Sequence, residues 1–366
     1  MCIFAEKQPY PMSEHQENDL LTQETIQWLR ESIKIPAFSR EEDKKCDFIE
    51  DIMISCGLRP RREGNNLWCL SNVWKKERPT LLLNAHIDTV RPVSGWTRDP
   101  FGSEFSGGRL YGLGSNDCGG GLFALLQAFR QLHEDDSIPW NLVYLASAEE
   151  EVSGKNGVER VLPLLPHIDC ALVGEPTGMQ PAVAEKGLMV LDVTAKGRSG
   201  HAAREEGVNA VYEALSDIEW FRTHRFEKVS PLLGAVKMSV TMIQAGTQHN
   251  VVPDKCHFVV DIRPNERYSN QELLDEIKRN VKSEVTARST RLNSSHIDMN
   301  HPLVERAIRL GRTPFASPTL SDQALMPFPS LKMGPGESSR SHTADEYIEE
   351  REIAEAIRLY ADLLRK

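Results

Sequence analysis

Three things are scarce in this sequence, and each scarcity excludes a class of function. Cysteines number seven, and none forms a C-x-x-C pair. Cys2, Cys46, Cys56, Cys69, Cys118, Cys170 and Cys256 are scattered and odd in number, which fits reduced cytoplasmic thiols better than a disulfide framework or a cysteine zinc knot. Basic residues are in deficit, with 43 Lys and Arg against 53 Asp and Glu and a net charge of −10. That argues against a nucleic-acid partner, which asks for a basic surface, and mildly favours a cationic substrate. No apolar run approaches the ~20 residues of a membrane span, so no membrane partner is expected. The opening MCIFAEKQPYPM lacks the basic n-region and long apolar core of a signal peptide and reads as a loose arm. Nucleotide signatures are missing too: no G-x-G-x-x-G follows a strand, and no G-x-x-x-x-G-K-S/T occurs. The glycines Gly119 to Gly121 then read as close packing of a helix start against a sheet.

What is there is an ordinary globular composition, 40% hydrophobic and 26% charged, in a chain of 366 residues, long enough for two domains. The stretch LLLNAHIDTV (81–90) is the centre of the pattern. An apolar run reads as a buried strand and ends at His86-Ile87-Asp88. Functional groups cluster where strands of open α/β sheets end. In an H-x-D pair the imidazole can bind a metal through one ring nitrogen while the carboxylate accepts from the other.

Helical spacing covers Asn18 to Ile33, ended by Ile35-Pro36. Ser39-Arg40-Glu41-Glu42 reads as a capping box before a second helix, with Cys46, Ile49, Ile52 and Met53 buried and Gly57 as its stop. Short strands are expected near 58–62 and 67–71. Residues 91–108 look like loop. A helix runs from the three glycines through Leu132. Strand 140–146 runs into Glu149-Glu150-Glu151, and strand 169–174 into Glu175. Three adjacent carboxylates at a strand end are costly unless solvent or a cation compensates them.

From about Val183 the pattern becomes β-α-β-β-α-β, that of a ferredoxin-like unit. Its elements are Met189–Lys196, Gly207–Arg225, Ala235–Gln244, Lys255–Arg263, Asn270–Val281 and Glu284–Thr290. Residues 291–300 read as a return linker. A helix at 303–310, a buried strand at 331–334 and a terminal helix at 349–364 follow. The expected fold class is therefore α/β, with residues 1–182 plus 292–366 as one domain and 183–291 inserted into it.

His86, Asp117, Glu150, Glu151, Glu175 and His342 supply two imidazoles and several carboxylates, most of them after predicted strands. Imidazole with carboxylate and no paired thiolate suits zinc in an open site, or cobalt or manganese. The ordered motifs NAHIDTV (84–90), GLGSND (112–117), EEE (149–151), GEPT (174–177), GRSGHAA (197–203), NVVPD (250–254), DIRP (261–264) and GPG…HTADEY (334–347) resemble the zinc-dependent acetylornithine deacetylase / succinyl-diaminopimelate desuccinylase family of metallopeptidases and amidohydrolases. The resemblance spans about Leu20 to the C-terminus.

That resemblance implies a mixed-sheet zinc-peptidase-like catalytic domain and makes the insert a dimerisation or lid domain of a homodimer. It implies two divalent ions, Zn2+ or Co2+. His86 and Glu175 would hold the first and Glu151 and His342 the second, with Asp117 shared, Asp88 orienting His86 and a cis bond after Asp117. Glu150 would be the general base. Three glutamates allow Glu149/Glu150 or Glu150/Glu151 as the working pair, and Ser147-Ala148 before them favours the second. His201 would reach the partner subunit's site and help hold the oxyanion, while Asn250 and Arg263 would hold a substrate carboxylate. The implied reaction is hydrolysis of an N-acyl amino acid, N-acetyl-L-ornithine or a relative, in the cytoplasm. Succinyl-diaminopimelate and small peptides are the rival substrates. A non-catalytic binding protein on the same scaffold is the rival class. Two departures bear on substrate: Cys118-Gly119 stands where the family often carries Met-Lys, and Arg340 precedes His342.

Overall fold

The structure, a computed structural model, describes residues 14–204 and 206–365. The expected N-terminal arm lies outside the described residues. The described residues form two compact units, one running up to residue 183 and resuming at 297–315 and from 321 on, the other within 184–296 and 316–320.

The first unit is built on a mixed sheet. Its strands lie in the order Arg61–Glu63, Asn66–Leu70, Asn141–Ser147, Thr80–His86, Cys170–Val173, Ser330–Lys332 and then the start of Ala182–Glu185. Thr80–His86 is parallel to both neighbours, and Cys170–Val173 is parallel to Ser330–Lys332. Every residue of Thr80–His86 is buried. Such a strand shows no alternation, because both its faces are covered by packed elements. Leu81, Leu83 and Ala85 join Ile26, Phe123, Phe129, Ile353 and Tyr360 in one core. Leu82 joins Val143, Leu145, Ala171 and Val173 in another.

Register does the positioning. His86 lies opposite Ser147, and Asn84 opposite Val173. Three parallel strands therefore end side by side, and their outgoing turns bring His86, the Glu149–Glu151 turn and Glu175 to one edge. Helix Gly120–Leu132 begins on that edge. A Cβ on Gly121 would lie 1.7 Å from the Gly174 carbonyl oxygen. Only a glycine lets the helix backbone lie against the residue that precedes Glu175.

The second helix is Asp43–Ser55, with Gly57 at φ +78° beyond it. The expected capping box is corrected: Glu42 occupies the cap position, and its carboxylate makes no capping hydrogen bond. Ser39 lies too far ahead of the helix to cap it, and its Oγ donates to Asp88 Oδ2 at 2.7 Å. The stretch read as loop and its continuation contain short strands Phe105–Ser106 and Arg109–Tyr111, the latter paired with Tyr347–Glu349. Strands of two or three residues are too short to show a period.

The second unit carries a four-stranded antiparallel sheet in the order Lys237–Ala245, Lys255–Arg263, Met189–Lys196, Glu284–Ala287. Helices Ala210–Thr223 and Asn270–Asn280 complete the β-α-β-β-α-β order. Met189–Lys196 alternates along its length between buried and less buried positions. The inward set Met189, Leu191, Val193 and Ala195 packs with Phe221, Phe258, Leu273 and Ile277. The loops of GRSGHAA and NVVPD zip together through a His201–Val251 bridge and hydrogen bonds from Ala202 N to Asn250 O and Val252 N to Gly200 O.

Gly121→Ala tests the backbone packing. The added methyl overlaps the Gly174 carbonyl, so a loss of about 1–3 kcal/mol is expected in urea unfolding. An unchanged midpoint would show that the helix start can shift freely.

Candidate metal centre

The first unit gathers its acids and imidazoles at the strand ends. His86 Nε2 lies 3.2 Å from Asp117 Oδ1, 3.6 Å from Glu175 Oε1 and 4.0 Å from Glu150 Oε2. His342 Nε2 lies 2.9 Å from Glu151 Oε2 and 3.6 Å from Asp117 Oδ2. The two carboxylate oxygens of Asp117 thus face different imidazoles. The peptide bond after Asp117 is cis.

This set fits divalent cations on two observations. Two ligands of one tetrahedral zinc, each ~2.0–2.1 Å from the ion, sit roughly 3.3 Å apart. The spacings of 3.2 and 3.6 Å at His86 and of 2.9 and 3.6 Å at His342 bracket that value. Glu175 Oε1 is also buried without a hydrogen-bond partner, although it lies among polar groups. Charge repeats the point. Burial, then Asp117, pushes Glu175 up to about 8. Burial, with Glu175, Asp322 and Glu151 nearby, raises Glu150 well above the carboxylate range. The hydrogen bond to Glu151 holds His342 up at about 9. Burial works against charge on His86, yet the surrounding acids keep its imidazolium favoured.

The H-x-D reading needs one correction. His86 Nδ1 meets the backbone carbonyl of Asp88 at 2.9 Å, while the Asp88 carboxylate Oδ1 stands at 3.5 Å. A carbonyl only accepts, so Nδ1 keeps its proton, and Nε2 is the nitrogen that offers a lone pair once the imidazolium gives up its other proton. The Asp88 carboxylate holds the acidic turn. It accepts from Glu150 N at 3.0 Å, Glu151 N at 3.2 Å and Ser39 Oγ at 2.7 Å. Burial works to raise its pKa, but His86 first, and then Ser39 and the Glu150 amide, hold it below the usual value.

Among the three glutamates, Glu149 is engaged elsewhere. Its Oε1 accepts from Asn156 Nδ2 at 2.8 Å. Glu150 and Glu151 are the two that meet the imidazoles. His201, Asn250 and Arg263 belong to the second unit. His201 is exposed, and its Nδ1 accepts from Ala203 N at 3.1 Å. Asn250 is exposed. Arg263 makes a two-pronged pair with Asp261 in its own strand, at 2.9 and 3.1 Å. The Arg340 fork turns to Glu352 at 2.7 and 3.0 Å and lies over the Tyr347 ring. Its charge is thus paired within the protein.

Two residues escaped the sequence reading. Cys118 Sγ lies close enough to His86 and Glu175 to complete a ligand triad. Its thiol instead donates to His86 O at 3.4 Å and accepts from His86 N at 3.3 Å, and burial pushes its pKa up. A neutral thiol tied to backbone on both sides is a poor ligand. The other is Glu346, whose carboxylate grips the Asp117 loop. Its signal was present in HTADEY, but nothing in the motif said where the side chain points.

A mixed α/β sheet with carboxylates and imidazoles converging at its strand ends defines a metal-dependent hydrolase scaffold. The chain belongs to Peptidase family M20/M25/M40, which matches it over residues 82–366. It is similar in fold to the aminopeptidase PepT from Bacillus cereus, at 17% identity and a TM-score of 0.74, over 95% of this chain and 98% of that one. A tripeptidase from Staphylococcus aureus matches at 21% identity and 0.71, over 94% and 97%. YXEP from Bacillus subtilis, a dinuclear metal-binding peptidase of the M20 family, matches at 17% and 0.73, over 94% and 98%. Among the described residues no helix is long and apolar enough to cross a membrane.

Metal uptake should displace protons. With His342 raised to about 9, its imidazole is protonated at pH 7 and must lose that proton to bind a cation. Affinity should rise with pH up to about 9. Calorimetry in buffers of different ionisation enthalpy should register the release, and a pH-independent affinity would contradict it. Cys118→Ser should keep the metal content of the parent. A loss equal to that of His86→Ala, read by plasma emission, would make Cys118 a ligand.

Proposed function

We propose that this protein is a dinuclear-metal amidohydrolase that cleaves the amide of an N-acyl amino acid, with N-acetyl-L-ornithine as first candidate and N-acetylcitrulline and N-succinylornithine as close relatives. The observation that carries the reading is Asp117, whose Oδ1 lies 3.2 Å from His86 Nε2 and whose Oδ2 lies 3.6 Å from His342 Nε2. A single carboxylate aimed at two imidazoles suits a bridge between two ions. Choice of acyl amino acid rests on the overall family resemblance, in particular the compact inserted domain and the GEPT and GRSGHAA motifs, and with it goes a role in arginine biosynthesis.

His86, Asp117 and Glu175 would hold one cation, and His342, Asp117 and Glu151 the other. Two bound cations, zinc or cobalt, would polarise the amide carbonyl and lower the pKa of water. Glu150 acts as the base. Its Oε2 stands 4.0 Å from His86 Nε2, at the rim of the ligand set. Its raised pKa suits a carboxyl that takes a proton from water and passes it to the leaving nitrogen. Asn250 and Arg263 receive the substrate carboxylate, which Arg263 can grip in a bidentate pair once it leaves Asp261. His201, supplied by a second copy, helps hold the oxyanion.

The homodimer belongs to the same reading. Strand Lys237–Ala245 is an edge strand of the second unit, and its Met242 and Ile243 are 56% and 54% exposed. Tyr212 and Leu215 of helix Ala210–Thr223 are 70% and 54% exposed. An unpaired edge with apolar neighbours fits a second copy of the protein. Cytoplasmic placement rests on six free cysteines among the described residues, five of them buried, which a reducing compartment keeps as thiols.

Side-by-side assays of acetylornithine, acetylcitrulline, succinylornithine, succinyl-diaminopimelate and small peptides test the substrate. A preference for succinyl-diaminopimelate or for peptides would move the activity to a rival of the same fold. Glu150→Gln should keep its metal and lose turnover by at least about a hundredfold. A near-parental rate would remove Glu150 as base. His201→Ala should lose turnover with metal content unchanged, and Ile243→Glu should shift sedimentation from dimer to monomer. A parental rate in the first, or an unaltered sedimentation profile in the second, would count against the dimeric site. Divalent metal near zero after gentle purification would favour a binding protein.

A further inference from the structure

Two loops carry the residues at the middle of the centre. Residues 112–118 bring Asp117, and residues 337–346 bring His342. They are laced together by a small set of polar contacts. Glu346, only 2% exposed, accepts three backbone N–H groups from the first loop. Its Oε1 takes Asn116 N at 2.8 Å and Asp117 N at 2.9 Å, and its Oε2 takes Gly114 N at 3.1 Å. Its carbonyl takes Gly112 N at 3.0 Å. Asn116 returns the tie. Its Nδ2 donates to Glu337 O at 3.1 Å and to Ser341 Oγ at 3.3 Å, and its Oδ1 accepts from Glu337 N at 3.0 Å. Gly336, at φ +82°, leaves room for that amide: a Cβ there would stand 2.2 Å from Asn116 Oδ1.

We propose that Glu346 is a positioning residue of the metal centre, which fixes the backbone of the Asp117 loop so that the Asp117 carboxylate divides between His86 and His342. The inference rests on Asp117 as the shared ligand. Three N–H donors converging on one buried carboxyl group, two of them from adjacent residues, set the rotation of the peptide units they hold. The amide of Asp117 is one of them, and its side chain is therefore aimed by a carboxylate that never touches the ions. Glu346 also stands four residues after His342, ahead of strand Tyr347–Glu349. One side chain thus ties the register of the shared aspartate to that of the second imidazole. A purely structural clamp would add stability without touching metal affinity.

The test compares apo-protein of the parent, Glu346→Gln, Glu346→Ala and Glu346→Asp, each titrated with Co2+ and followed by calorimetry and visible absorption. Thermal unfolding serves as the folding control. In Glu346→Gln the amide oxygen still accepts from Asn116 and Asp117, but its NH2 group opposes Gly114 N–H. Its Co2+ affinity should fall about tenfold or more, as for other outer partners of metal ligands, with an altered absorption spectrum. Glu346→Ala should lose more, and Glu346→Asp should recover part of the loss. Parental affinity and spectrum in Glu346→Gln, whatever its melting temperature, would overturn the proposal; that variant decides alone if Glu346→Ala does not fold. Asp117→Asn separates the two readings. If it keeps both Co2+ equivalents, the shared-ligand assignment fails. If it loses them while Glu346→Gln does not, only the positioning role fails.

Discussion

Buried negative charge is the constraint on which this structure turns. Asp88, Asp117, Glu150, Glu151, Glu175 and Glu346 crowd the ends of three parallel strands, and burial raises the pKa of several of them. Carboxylates in such a place need compensation from hydrogen bonds, fixed cations or bound ions. Each has a different solution. Asp88 and Glu346 take backbone amides. Asp117 and Glu151 meet imidazoles. Lys45, buried and pulled down to about 8 by that burial, lies in the field of Asp88 and Glu346. Glu150 and Glu175 stay raised, and Glu175 Oε1 stays without a hydrogen bond.

The fold serves this crowd by aligning strand ends. Parallel neighbours keep a common direction, so residues that follow three separate strands arrive at one edge. The glycine contact between residues 121 and 174 brings the helix against the backbone just ahead of Glu175. Backbone approach, rather than side-chain packing, thereby limits how deep that carboxylate sits. His342, at φ +58°, and Glu149, at φ +55°, take left-handed conformations beside the site, which their surroundings must hold in place.

Much of this was legible in the sequence. The apolar run at 81–83, the alternation in 189–196 and the Gly57 stop each fix an element, because burial period and glycine freedom are local properties. The acids and histidines were legible as a set because most of them follow predicted strands. What could not be read was the direction of individual side chains. Ser39 looked like a helix cap and serves Asp88; Arg340 looked free for substrate and pairs with Glu352. Glu346 stood in the HTADEY motif with no role of its own. Those outcomes depend on contacts between distant residues, which no local pattern carries.

The carbonyl of Asp88 that meets the His86 ring has a consequence for inheritance as well as for chemistry. Every amino acid owns a backbone carbonyl. The proton on Nδ1 is therefore favoured by the path of the backbone and not by the codon at position 88. A substitution there can slacken the neighbouring turn, yet the imidazole keeps its tautomer and continues to offer Nε2.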